Sequence, residues 1–238
     1  MRIGVVAALP GELTPLVRGW QRSGRVFKGS IPLEDGATAE VWATAAGMGA
    51  SAASRAFGEL RAVIGPDGMD AVVSYGWAGA LSCGVKPPDV FEASEVIDSR
   101  TGERFATACA EGPTPLRLIT LDHVARSNEK RPLAKQYQAV LVDMEAAAIA
   151  RLALAHGITF LCLKAISDGY NDVLPDFNRF LDRSGQLRMP AFVAHALLRP
   201  KYWRSLAGLG ANSRRAARNL ARELPACLHR AGLLSCRS

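Results

Sequence analysis

Residues 139–172 read AVLVDMEAAAIARLALAHGITFLCLKAISDGYND, and this stretch decides the fold. Residues 139–142 are a short apolar strand that delivers Asp143, Met144 and Glu145 at its end. An alanine-rich helix follows, with Ile149, Leu152 and Leu154 among its apolar positions. A second strand, residues 158–166, delivers Ser167 and Asp168. In a parallel sheet the C-terminal strand ends face the ligand crevice, so both acidic clusters are expected to open on one pocket. Two carboxylates there can divide the labour, one protonating a leaving group and the other gripping hydroxyls. A purely structural reading stands beside it. Asp143 or Glu145 could cap the helix, and Asp168-Gly169 could be an ordinary turn.

Outward from this stretch, the order of elements favours one α/β domain with a mixed or parallel sheet flanked by helices. Residues 3–8 form a short buried strand, and residues 11–20 open a helix. Strands at 26–31 and 39–45 are parted by a polar turn around Glu34, Asp35 and Gly36. Residues 50–63 have helical spacing, with Ala53, Phe57, Leu60 and Ile64 on one stripe. A strand at 71–75 ends at Gly76. A double-proline loop at 85–89 leads into a strand at 90–97, and residues 101–114 are an exposed loop or turn. A strand at 116–121 and a helix at 129–138 complete the body.

At 238 residues and 49% apolar, the chain can bury a full core. It has no apolar run of about 18 residues, so no spanning helix is expected. The N-terminus lacks the basic-then-apolar layout of a signal peptide. Five cysteines (83, 109, 162, 227 and 236) are scattered without CxxC spacing. They suit a reducing, cytoplasmic location and give no zinc signature. No metal or organic cofactor is implied.

Charge is unevenly spread. From Arg183 onward eleven Lys and Arg stand against one acid, Glu223, which makes this region +10. The whole chain is +7, so residues 1–182 are near −3. A mildly acidic catalytic body (1–182) is therefore expected to carry a basic, helical C-terminal extension (183–238). Leu197, Leu198, Tyr202, Trp203, Leu206 and Leu209 interleave with Arg199, Lys201 and Arg204; Arg214, Arg215, Arg218 and Arg222 follow at helical spacing. A packed helix with a solvated basic face, available to a dimer interface, is one reading. Peripheral contact with an anionic membrane is another. No nucleic-acid motif is present.

V-D-M-E-A, followed about twenty residues later by A-I-S-D, resembles the purine nucleoside phosphorylase and methylthioadenosine/adenosylhomocysteine nucleosidase superfamily. I-G-V-V-A-A-L-P-G-E-L, A-A-G-M-G (45–49) and S-Y-G-W-A-G-A-L (74–81) resemble that family's earlier strand ends. The resemblance runs from Arg2 to about Asp172. It implies cleavage of an N-glycosidic bond to a purine through an oxocarbenium-like sugar. Asp168 matches the general acid, with Ser167 orienting it. An apolar niche is expected to keep that acid protonated. Glu145 matches the acid that grips the ribose hydroxyls, Met144 the residue against the sugar face, and Glu12 the residue that activates water. Asp143, Val124, Gly76 and Trp77 are expected to line the substrate pocket.

Phosphate, a candidate co-substrate, is expected at the Gly47 and Gly49 turn before a helix N-terminus, with Arg18 as partner if its helix faces the pocket. Three departures stand out: Trp77 in place of a serine, Val124 in place of an aromatic that stacks on adenine, and Lys164 in place of arginine. T-G-E-R (101–104), T-L-D-H-V (120–124) and the arginine-rich tail resemble the hopanoid-associated phosphorylases. This implies a lipid-linked substrate, adenosylhopane, and phosphorolysis. A hydrolytic nucleosidase is the alternative, and a non-catalytic nucleoside-binding or membrane-associated protein is an alternative of another class. The resemblance also implies a homo-oligomer, a dimer or larger. Buried unpaired carboxyls cost stability, so replacing these acids is expected to leave the fold intact.

Overall fold

Apolar, β-rich runs buried on both faces form the inner strands of one mixed sheet, as strands covered by helices on both sides must. The computed structural model describes residues 1–32, 38–108, 115–172, 177–180 and 203–232. In chain order the elements are β1 (Arg2–Ala7), α1 (Pro10–Leu13), β2 (Gln21–Ser23), β3 (Val26–Pro32), β4 (Thr38–Ala45), α2 (Ala50–Ile64), β5 (Ala71–Ala80), β6 (Val90–Glu92), β7 (Glu95–Asp98), β8 (Arg104–Ala106) and β9 (Arg117–Thr120). They continue with α3 (Ser127–Tyr137), β10 (Leu141–Asp143), α4 (Ala146–Ala155), β11 (Thr159–Asp168), a 3-10 turn at Phe177–Phe180 and α5 (Trp203–Arg230). This is the expected α/β domain with a mixed central sheet flanked by helices, and a C-terminal helix is present.

β5 is the hub. β1 runs parallel to its first half, β11 runs parallel along nearly its whole length, and β10 meets its far end antiparallel. The sheet order is β2-β3-β4-β1-β5-β10-β9-β7-β8, with β6 attached beyond β11. Alternate side chains feed two apolar layers. On one face Val72, Ala78, Cys162 and Ile166 pack against Phe57 and Leu60 of α2 and the alanines of α4. On the other, Val73, Tyr75, Leu161 and Leu163 pack against Ala216, Leu220, Leu224 and Leu228 of α5. The distal part of α5 thus belongs to the core of the α/β domain. Its arginines 214, 215, 218 and 222 face solvent.

Several expectations need correction. The first helix ends at Leu13 rather than near Trp20, because Pro15 has no N–H to continue it and Gly19 turns the chain at φ +81. β5 does not stop at Gly76 but runs on to Ala80, paired with β11 as far as Gly79. The expected strand at 90–97 is two strands. The chain changes partners between them: Ala93 donates to Cys162 O, and Ser94 to Leu116 O. The loop at 101–114 contains β8, which pairs antiparallel with β7; its residues 109–114 lie outside the described residues. So do the turn at Glu34–Gly36 and tail positions 183–202. The side chains of α5 are described from Ala207.

Candidate active site

One cavity of about 200 Å³ collects the acids from both arms of the sheet. Ala8, Leu9, Glu12, Met48, Trp77, Gly79, Val124, Met144, Glu145, Ser167 and Asp168 are among its lining residues. The expected convergence occurs, but for a different reason from the one given by a parallel sheet. β10 and β11 run in opposite directions along β5 and deliver their C-terminal ends to the same stretch of it. Val142 and Asp168 both register with Gly79.

Two glycines of β5 make room for the acids. A Cβ at Gly76, where φ is +149, would lie 2.6 Å from Glu12 Oε1. A Cβ at Gly79 would lie 3.2 Å from Asp168 Oδ2. Gly76 therefore serves as a seat for Glu12 rather than as a wall of the cavity.

Glu12 is buried against the ends of β1 and β5. Its Oε2 accepts N–H bonds from Ala8 and Leu9, each 2.8 Å, and its Oε1 accepts one from Trp77, also 2.8 Å. Burial pushes its pKa up despite these donors and the Lys164 charge. Trp77, expected to line the pocket, offers this amide and spreads its indole along the cavity wall beside Gly11. Its Nε1 is buried with no acceptor among the described residues.

Glu145 stands at the start of α4, and its Oε1 accepts the Gly49 N–H at 2.6 Å. Burial first, and then the neighbouring Asp143 charge, lift its pKa to about 7. Asp143 lines the same cavity, but its carboxylate is turned to protein groups. Its side chain is fully buried, with Oδ1 accepting from Thr120 Oγ1 at 2.7 Å and Oδ2 from the Ala146 N–H at 3.0 Å. Lys164 Nζ lies 2.9 Å from Oδ2. The capping reading is therefore correct for Asp143. Burial works against the Lys164 ammonium, but Asp143 and Glu145 hold its pKa above the usual lysine range.

The turn expected to hold phosphate is already engaged: the Gly47 N–H donates to Ala8 O, and the Gly49 N–H to Glu145. The positive φ of both residues serves that turn. Arg18 lies past the end of α1, exposed, and lines no described cavity. A second cavity, about 500 Å³, shares Ala8 with the first and is lined by Gly47, Arg22, Arg25 and Arg55.

Asp168 does not sit in an apolar niche. Its Oδ1 accepts from Ser167 Oγ at 3.0 Å, and its Oδ2 accepts from Lys130 Nζ at 2.8 Å. Sequence reasoning missed Lys130, because N-E-K-R in a polar helix reads as a solvated face. It also missed His123, although T-L-D-H-V contains it. The His123 ring lines the cavity between Asp122 and Glu129, and the Asp122 hydrogen bond chiefly raises its pKa. Leu209 and Ser213 of α5 close the cavity from the tail side. No local pattern marked them, since only packing brings α5 to the mouth.

Residues 2–123 and 106–193 match the family model described as "Phosphorylase superfamily". The chain belongs to this superfamily. Its class is accordingly that of a phosphorylase or nucleosidase enzyme. No curated protein matches it in sequence. Among solved structures it is similar to a mutant Helicobacter pylori methylthioadenosine nucleosidase with 5′-methylthioadenosine in its active site, at 15% identity and TM-score 0.66, over 96% of this chain and 98% of that one. A Streptococcus pneumoniae methylthioadenosine/adenosylhomocysteine nucleosidase with a transition-state inhibitor gives 19% and 0.65, over 97% and 99%. Helicobacter pylori futalosine hydrolase gives 15% and 0.64, over 96% and 97%. At these identities the likeness is one of fold.

Proposed function

We propose that this chain cleaves the N-glycosidic bond of a 5′-substituted adenosine and releases adenine. The observation that carries this reading is the meeting of Glu12, Glu145 and Asp168, from three separate elements, in one cavity with Met144. Asp168 gives a proton to the departing base, and the C1′–N9 electron pair leaves with it. Glu145 accepts hydrogen bonds from the ribose hydroxyls, and Met144 lies against the sugar. Glu12 takes a proton from the attacking water. Water fits the attacking side better than phosphate does. Lys164, the cation gathered with Glu12 and Glu145, is already paired with Asp143 at 2.9 Å, which leaves it little free charge to hold a phosphate dianion.

Phosphorolysis is the second reading, supported by the arginine-lined cavity that shares Ala8 with the site. For the 5′ group we propose an apolar body, as in adenosylhopane. Support comes from the T-G-E-R and T-L-D-H-V motifs and from the apolar wall of Leu9, Trp77, Val124 and Leu209. The test is adenine release from a 5′-alkyl adenosine, with and without phosphate, with products resolved by mass spectrometry. Free ribose product in phosphate-free buffer is expected. A ribose 1-phosphate formed only with phosphate selects the second reading. Asp168→Asn should lower turnover about 10²–10⁴-fold while binding persists. A non-catalytic binding protein would release no adenine under any of these conditions.

A further inference from the structure

Lys130 is a buried lysine in a helix that otherwise carries a solvated polar face. It is 2% exposed, and its chemistry is directed entirely at the end of β11. Nζ donates to Asp168 Oδ2 at 2.8 Å and to Gly169 O at 2.7 Å. A second bond from α3 reaches the same turn, Ser127 Oγ to Asp172 O at 3.1 Å. The turn is closed on itself by Gly169 N–H to Asp172 Oδ2 at 2.7 Å. The helix therefore clamps the segment that carries the proposed acid. Burying an ammonium is costly unless its charge is matched, and a helix this polar could have placed an uncharged donor there at lower cost.

We infer that Lys130 is a positioning residue for the leaving-group acid. Its ammonium fixes the Asp168 carboxyl and takes up the negative charge that forms when that carboxyl gives away its proton. This rests on the proposed bond cleavage. In that step the proton moves from Asp168 to the base, the C1′–N9 bond breaks with its electron pair on the base, and Asp168 becomes a carboxylate. Ser167 meets one oxygen of this carboxyl and Lys130 the other, an arrangement suited to hold the carboxylate that the transfer leaves. A carboxyl with no such partner would keep its proton in the site but yield it poorly. Solvent returns the proton once the base has left.

The test uses the full chain with Lys130→Met, Lys130→Arg, Asp168→Asn and the Lys130→Met/Asp168→Asn pair. Each is assayed on a 5′-alkyl adenosine and on 4-nitrophenyl riboside, whose leaving group departs without protonation. Lys130→Met should lower kcat on the adenosine about 10²-fold with little change in KM. Its loss on the nitrophenyl riboside should be at least about tenfold smaller. Lys130→Arg should recover most of the loss. In the Asp168→Asn background, Lys130→Met should add almost nothing, because both changes remove one unit. Equal losses on the two substrates, or full additivity in the double variant, would show a merely structural lysine and overturn the inference. A wild-type chain that releases no adenine would instead overturn the cleavage reading, and this inference with it.

Discussion

Glu145 shows how much of this site's behaviour follows from burying a carboxyl beside another. Burial and the Asp143 charge raise its pKa from 4.5 to about 7. Between those values the folded chain holds a proton that the unfolded chain has released, so stability is present below about pH 4.5 and declines as pH rises through 7. Glu145→Gln removes this contribution. Its unfolding free energy, compared with wild type, should gain most above pH 7, on the order of 1–3 kcal/mol, and its thermal midpoint should rise with it. Equal midpoints at pH 5 and pH 8 would count against the raised carboxyl. The expectation that all the acids can be replaced without harm to the fold suits Glu145 but not Asp168. Removing the Asp168 charge strands Lys130, a buried ammonium, and such losses are destabilising.

Among elements, α5 joins the two themes of the chain, a core and a basic surface. Its inner residues Ala216, Leu220, Leu224, Cys227 and Leu228 are fully buried against β5 and β11, while Arg230 pairs with Glu92 and Glu223. The same helix brings Leu209 and Ser213 to the cavity mouth. Leu220→Ala should therefore cost about 2–5 kcal/mol in chemical denaturation and also weaken substrate binding. A loss below about 0.5 kcal/mol would mean that α5 is not core. The short α1 is the opposite case. Four residues long, it cannot stand as an isolated helix, and it is held by Glu12 reaching back to the Ala8 and Leu9 amides.

For the whole molecule, the asymmetry of charge is the feature to test. Arg214, Arg215, Arg218 and Arg222 share the outer face of α5, and no described acid pairs with any of them. If that face meets an anionic membrane, the chain should sediment with phosphatidylglycerol vesicles at low salt. It should be released by roughly 0.5 M salt, with little binding to neutral vesicles. Replacing all four arginines with glutamine should abolish sedimentation and leave the melting temperature nearly unchanged, because none of the four is buried. Binding that survives both changes would dismiss the basic face as the contact. Among the described residues no helix is long and apolar enough to cross a membrane.

The sequence by itself determined the α/β class, the strands that carry the acids and the identities of Glu12, Glu145 and Asp168. Apolar runs and acidic strand ends are local patterns, legible wherever they occur. It marked Gly76 but not its role as the seat of Glu12, and it did not single out Gly79, because a glycine shows freedom without showing its neighbour. Tertiary structure alone decided the rest. Asp143 turned inward to Lys164, the Gly47 and Gly49 amides were taken by other acceptors, and Lys130 came to the acid from a helix thirty-eight positions earlier in the chain. The reason is that a buried polar group is satisfied by whatever the packing brings within about 3 Å of it. Distance along the chain carries no record of that.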